Sequence, residues 1–286
     1  LDTSIAMQRK FALAAAYNYR DLPGRLDVSA NARGEMIDET FIFLPGINAS
    51  YQWFDWIRLR ANIQKTYRMP SLNELYYQPG GNRDLKPERG WAQDAGYVIT
   101  LQPSRRFSIQ HDLAVFHRLI NDWIVWYGGA IWTPHNIAQV RSAGVEMEYL
   151  FKYSIKELVL HLGVKGNYTR AVTVNSYVAG DGSIGKQIPY TPKWGSLVNI
   201  GITYRSFYFN YNHTYTGVRY FNTDESGRLN EYHLANIQLN KDFLLKKFIL
   251  QTSFLLNNIY AKEYAVVASR PMPGRNLSIS VTLRKK

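Results

Sequence analysis

Apolar and polar residues alternate at every second position through most of this 286-residue chain, and no other feature limits its fold as much. Leu26, Val28, Ala30, Ala32 and Gly34 alternate with Asp27, Ser29, Asn31, Arg33 and Glu35. Ile57, Leu59, Ala61 and Ile63 alternate with Arg58, Arg60, Asn62 and Gln64. Near the end, Leu277, Ile279, Val281 and Leu283 alternate with Asn276, Ser278, Ser280 and Thr282. A helix would scatter such residues around its circumference, whereas a strand sorts them onto two faces. About thirteen segments of this kind are predicted, at 8–20, 24–36, 42–53, 56–67, 90–102, 106–118, 140–152, 157–169, 193–204, 207–218, 231–242, 248–258 and 275–285. Most are near the length a tilted strand needs to cross a bilayer, roughly 9–11 residues.

The connections fall into two kinds. Tight ones are predicted near 22–24, 54–55, 103–105, 154–156, 205–206 and 245–247, and longer ones near 68–89, 119–139, 170–192, 219–230 and 259–274. Short turns at one rim and long loops at the other describe an outer-membrane barrel. A soluble sandwich or propeller uses shorter strands, commonly about five or six residues, and has no reason to sort its loops by end. No window approaches eighteen uninterrupted apolar residues, which excludes a transmembrane helix and leaves a barrel open. Aromatic residues make up 14% of the chain, and Tyr17, Tyr19, Tyr51, Trp53, Trp56 and Tyr204 gather near predicted strand ends, where a barrel carries its interfacial girdles. The fold class is therefore all-β: an antiparallel transmembrane outer-membrane β-barrel.

An odd strand count has a consequence. Single-chain bacterial barrels have an even number of strands, and an open sheet would leave bare backbone edges in lipid. Residues 1–286 are thus expected to be the C-terminal portion of a larger barrel, and the start at Leu1 without a signal segment fits a mature chain or a fragment. Cysteine is absent, which removes disulfides, thiol nucleophiles and cysteine metal sites. The formal charge of +12 comes from basic residues spread along the chain, which argues against nucleic acid and suits phosphorylated lipid headgroups or an anionic ligand. His111 and His117 share a predicted strand, but no G-x-S-x-G element accompanies them, so no catalytic residue, metal or cofactor is assigned.

Two linked motifs point further. Tyr67-Arg68-Met69-Pro70-Ser71-Leu72-Asn73-Glu74-Leu75-Tyr76-Tyr77 and Gly81-Asn82-Arg83-Asp84-Leu85-Lys86-Pro87-Glu88 resemble the paired signature in the barrel of TonB-dependent outer-membrane receptors. Leu256-Asn257-Asn258-Ile259-Tyr260-Ala261-Lys262-Glu263-Tyr264 and Pro271-Met272-Pro273-Gly274-Arg275-Asn276 resemble that family's entry into its last strand. The final Leu283-Arg284-Lys285-Lys286 departs from the family's usual aromatic end. The resemblance implies a 22-stranded, plugged barrel, of which this chain supplies the last thirteen strands without the plug, the first barrel strands or the TonB-contacting segment. It also implies a non-enzymatic transporter in the outer membrane of a Gram-negative bacterium. Such a receptor actively imports a scarce, bulky nutrient, an iron–siderophore complex or cobalamin. Its implied partners are the TonB complex (reached through the missing N-terminal part), outer-membrane lipid and lipopolysaccharide, and a surface lipoprotein. A haem or saccharide importer of the same superfamily and a passive porin-like channel are the alternatives.

Site residues follow in three groups. Arg68, Pro70, Asn82, Leu85, Pro87 and Glu88 mark the family motif, and Pro70, which cannot continue a ladder, suggests that they shape an extracellular loop. Asp94 stands where the family usually has Glu, and Glu146 matches its G-x-E. By resemblance both are inward carboxylates that latch the plug, with a hydrated lumen wall as the plain alternative. Tyr76, Tyr77, Trp123, Trp126 and Trp132 are candidate ligand-binding aromatics of the long loops, with broad apolar area for a flat or greasy ligand, and loop packing is the competing role. Arg141, Lys186 and Arg219 are read as adding attraction for anions. The absence of His from residues 71–81 weakens the haem reading, and His135 lies in another predicted loop.

Overall fold

The computed structural model describes residues 7–21, 24–128 and 130–285. Its strands are β1 (Lys10–Arg20), β2 (Leu26–Ile37), β3 (Thr40–Phe54), β4 (Ile57–Arg68), β5 (Glu88–Ser104), β6 (Phe107–Tyr127), β7 (Thr133–Ile155), β8 (Leu158–Asn175), β9 (Trp194–Tyr204) and β10 (Phe207–Thr216). They are followed by β11 (Arg219–Tyr220), β12 (Arg228–Leu229), β13 (Tyr232–Leu244), β14 (Phe248–Asn257), β15 (Ala265–Val267), β16 (Arg270–Pro271) and β17 (Asn276–Lys285). One helix, α1 (Leu72–Tyr76), follows β4. No described helix is long and apolar enough to cross a membrane.

Thirteen strands form one antiparallel sheet in the order β1 to β10, then β13, β14 and β17. The two remaining ladders, β11–β12 and β15–β16, are short hairpins inside loops. Each of the thirteen predicted strands has its counterpart. The tight turn placed at Leu22-Pro23-Gly24 falls partly outside the described residues. At the turn rim the other connections are short: 55–56, 105–106, 156–157, 205–206 and 245–247. Loops 69–87, 176–193, 217–231 and 258–275 stand at the opposite rim.

Two features differ from expectation. The connection between β2 and β3, on the long-loop rim, is the two-residue turn 38–39, with Asp38 at φ 51°. The predicted loop 119–139 is mostly strand: β6 and β7 stay paired up to Tyr127↔Thr133. They run 21 and 23 residues, well beyond a bilayer span, so this hairpin rises above the rim. β8 likewise continues to Asn175.

Directly opposed residues share a sheet face, so the register assigns the two surfaces. One face carries the row Asn48, Asn62, Asp94, Phe116 and Gly144, and farther on Asn199, Asn212 and Asn236. Its polar groups bond to one another, as in Asn199 Nδ2 to Asn212 Oδ1 at 2.6 Å, and this is the lumen wall. The other face carries Ala61, Ala95, Val115, Val145, Tyr168 and Trp194 across the same strands. Large apolar side chains stay exposed there: Ile279 is 68% and Val281 64% accessible. A continuous exposed apolar face with a polar opposite face is what lipid on one side and water on the other require. At the turn rim Trp53, Phe54 and Trp56 stack in sequence, with centroids 5.8 and 5.5 Å apart, as an interfacial girdle.

Candidate functional site

Where β4 leaves the sheet, Pro70 is buried and Ser71 caps α1. Ser71 Oγ accepts from the Glu74 N–H at 3.2 Å, and Glu74 Oε2 accepts from the Ser71 N–H at 2.7 Å. This reciprocal capping box lets a five-residue helix form in a loop. The Arg68 guanidinium then forks: one nitrogen donates to both Glu74 oxygens at 3.1 and 2.9 Å, the other to Glu88 Oε1 at 2.5 Å. Both carboxylates are buried, Glu74 at 8% and Glu88 at 7% exposure. Burial opposes the charged form of Glu74, but Arg68 and the Ser71 N–H outweigh it and hold its pKa below the usual carboxylate range. Glu88 Oε1 also accepts from the Ile124 N–H at 2.8 Å, so one charge cluster ties both ends of loop 69–87 to the tall part of β6.

The second motif seats the same loop on β7. Asn82 Nδ2 donates to the Pro134 carbonyl at 3.0 Å, and its Oδ1 accepts from the Asp84 N–H at 3.0 Å. Lys86 and Asn136 exchange bonds in both directions, at 2.8 and 2.9 Å. Leu85 is buried and Pro87 half-buried just before β5. The six motif residues thus sit among packing and loop-closing contacts.

The aromatics divide. Tyr76 and Tyr77 are exposed, with Arg83 over the Tyr76 ring at 5.0 Å and Trp126 edge-on to Tyr77 at 6.2 Å. Trp132, just before β7, lies 6.3 Å from Tyr190. Trp123 and Trp126 belong to β6 rather than to a loop. Trp123 stands apart: it packs on the buried cluster of Ile137, Val140, Ala171 and Ile188 and faces the lumenal hollow of Arg68, Glu88 and Phe116. Arg219, read as adding attraction for anions, is 3% exposed, with its guanidinium 4.8 Å over Tyr232. Lys186 stands 3.9 Å from Glu225, and Arg141 is exposed. His135 is half-buried in β7.

Asp94 and Glu146 both face the lumen. Asp94 accepts from Asn62 Nδ2 at 3.1 Å, and Glu146 is exposed between Ala114 and Asn167. Around Glu146 lie the ion pairs Arg60–Asp112 at 2.5 Å and Lys165–Glu148 at 2.9 Å, while neither Asp94 nor Glu146 has an ion-pair partner among the described residues. Among those residues, no group of three or more His, Cys, Asp or Glu is placed to hold a metal ion.

Asp122 was not singled out from the sequence. At φ 57° and 3% exposure it accepts from the Tyr177 hydroxyl, pairs with Arg89 at 3.7 Å, and offers its carbonyl to Asn136 Nδ2 at 2.6 Å. It thereby fastens loop 176–193 to β6. The available signal was Asn121-Asp122 within an apolar run, residue types that tolerate a left-handed backbone.

Comparison with known proteins places this geometry. Residues 6–259 match the family described as TonB dependent receptor-like, beta-barrel. A stretch of 107 residues, 36% of this chain and 16% of the relative, is 32% identical to a vitamin B12 transporter, BtuB, of Vibrio vulnificus strain YJ016. Among solved structures, a mutant ferric enterobactin receptor (PfeA) from Pseudomonas aeruginosa superposes with a TM-score of 0.70 at 16% identity, over 98% of this chain and 45% of that one. The ferric yersiniabactin uptake receptor FyuA from Yersinia pestis gives 0.68 at 17% identity, over 96% and 44%. At such identities the structures establish the fold alone, and the chain spans less than half of each. The paired loop motif, the polar lumen and the lipid-facing sheet therefore belong together, and this chain is a member of the TonB-dependent receptor β-barrel family, outer-membrane receptors and transporters.

Proposed function

We propose that this barrel is the C-terminal part of a receptor that actively imports a bulky corrinoid or ferric chelate, using TonB-transmitted force to move a plug within the barrel. The observation that carries this reading is the loop mouth. The Arg68 cluster draws loop 69–87 against the tall β6–β7 hairpin, so that exposed Tyr77 stands beside Trp126 and exposed Tyr76 lies under Arg83. Rigid aromatic area held above a polar lumen suits a large, partly apolar ligand awaiting passage. Cobalamin is supported by the curated relative named as a vitamin B12 transporter, and ferric chelates by the siderophore receptors that share the fold. In the same reading Asp94 and Glu146, inward and without ion-pair partners among the described residues, offer carboxylates to arginines of the plug.

The test is uptake by cells that depend on this receptor, using labelled cyanocobalamin and ferric siderophores, with and without functional TonB. Accumulation of one ligand class that vanishes without TonB is expected. Unchanged uptake without TonB, with steady conductance in planar bilayers, would sink the proposal in favour of a passive pore.

A further inference from the structure

On the lipid-facing surface, β10, β13 and the loop after β14 bring together a histidine–tyrosine network that the import reading leaves unused. His213 on β10 and His233 on β13 both point outward, and His213 Nε2 lies 3.0 Å from His233 Nδ1. On the far side of the same imidazole, His213 Nδ1 lies 3.2 Å from the Tyr211 hydroxyl and 3.2 Å from the Tyr260 hydroxyl, which are 2.9 Å from each other. Beside the network the outward face carries Val198 and Ile200 on β9 and Ala235 and Ile237 on β13, together with Ser196 on β9 and Tyr215 on β10, whose ring centroid is 4.8 Å from that of His233. The network sits just below the loop rim, since His233 is the second residue of β13 and exposed Trp194 opens β9 beside it. That is headgroup level, reachable from water.

Two imidazole nitrogens 3.0 Å apart cannot both present bare lone pairs to each other. Something positive must lie between them: a shared proton, or a metal ion. Two nitrogens bound to one tetrahedral zinc at 2.0–2.1 Å stand about 3.3 Å apart, so the observed spacing needs only a few tenths of an ångström to open. The second shell is in place as well. If the Tyr211 and Tyr260 oxygens accept from the His213 Nδ1–H, that tautomer leaves Nε2 as the ligating atom, as second-shell partners of metal-bound histidines do. An anion site is the weaker reading, because the network itself contains no lysine or arginine. We propose that His213 and His233 form a surface site for a borderline divalent ion (Zn²⁺, Cu²⁺ or Ni²⁺), with water or headgroup oxygens completing the shell. The ion takes both rings as neutral imidazoles, His233 then carrying its one proton on Nε2, so ring protonation and metal binding compete for the same nitrogens.

The receptor as expressed in the outer membrane, purified in detergent, would be titrated with Cu²⁺ at pH 7.5 and followed by electron paramagnetic resonance, with Zn²⁺ calorimetry for stoichiometry. The parent should bind one equivalent more than His233→Ala, and the lost signal should show nitrogen coupling. His161→Ala, on the lumen wall, should leave this equivalent in place. Tyr260→Phe should weaken it about 10–100-fold, the usual cost of losing a second-shell partner. Equal stoichiometry and identical spectra for the parent and His233→Ala would overturn the site. Should that variant fail to assemble, His213→Gln provides the same comparison. Uptake is not the readout, so failure here and failure of the import proposal are separable.

Discussion

Arg68 is the charge on which the loop mouth depends. Its side chain is 43% exposed, but the Glu74 and Glu88 side chains it serves are only 11% and 9% exposed. Arg68→Ala would leave two carboxylates facing each other with little water. Breaking a fully buried pair costs about 3–5 kcal/mol, and the partial exposure here argues for a local loss of about 2 kcal/mol. Faster hydrogen exchange across residues 70–87, with the sheet amides unchanged, is the expected result. Glu74 adds a pH dependence. Its folded pKa lies below the unfolded value of about 4.3, so its contribution is complete above that value and is lost as pH falls through the lower folded one. Loop 69–87 should therefore be equally protected at pH 7 and pH 6 and should open below about pH 4. Protection that stays constant down to pH 3 would remove Glu74 from the account. Gly144 poses a packing question instead. A Cβ there would run into the Tyr168 carbonyl and come within 2.7 Å of the Phe116 ring. Gly144→Ala should cost about 1–3 kcal/mol as an overpacking change, visible as a lower denaturant midpoint of the assembled barrel.

At the scale of elements, the β6–β7 hairpin decides how the mouth is built. Its paired extension carries Trp126 up to Tyr77 and presents the Ile124 N–H to Glu88. Tyr77→Ala and Trp126→Ala should each weaken ligand binding by about tenfold or more, the scale of a lost aromatic anchor, while leaving the heat-modifiable gel mobility of the folded barrel intact. Equilibrium binding to purified receptor measures this, and parent affinity in both variants would move the ligand site elsewhere. The hairpin also shows where sequence reading stops. Thirteen strands were legible, because alternation is imposed directly by having lipid on one face and water on the other. The extension was not, because strand ends were placed by bilayer thickness, and residues 119–127 lie above it, where protein contacts rather than lipid set the pattern. Trp123 was misplaced for the same reason: on a loop it would be a free aromatic, but on β6 beyond the φ 57° of Asp122 it packs inward. The burial of Arg219 was not legible, because nothing in a loop sequence tells that its guanidinium folds under onto Tyr232. The motif residues were readable as a group, yet the Arg68 fork joining Glu74 and Glu88 is a tertiary fact.

For the whole molecule, the two edges are the outstanding physical problem. β1 and β17 each have one neighbour, and all residues of both strands are exposed. Their outward faces carry Phe11, Leu13 and Tyr17, and Leu277, Ile279, Val281 and Leu283, so both edges lie at bilayer depth. An unpaired backbone N–H or C=O in hydrocarbon costs about 2–7 kcal/mol, and two edges of ten or so residues cannot bear that cost many times over. Both edges need partner strands, which the proposed receptor would supply as further strands joining β17 back to β1. In the proposed receptor, the rest of the wall and a plug would about double the 33.0 kDa of this chain, which covers 45% and 44% of two solved receptors of the same fold. Denatured mass of the polypeptide carrying this sequence in its native outer membrane is then expected at roughly 70 kDa, the scale of a 22-stranded plugged barrel. The 286 residues refolded alone in detergent should run at the same gel position whether heated or not, since no closed barrel forms. A native species of 33 kDa that shifts on heating would mean that thirteen strands close by themselves or by self-association, and a TonB-moved plug would lose its place in the mechanism.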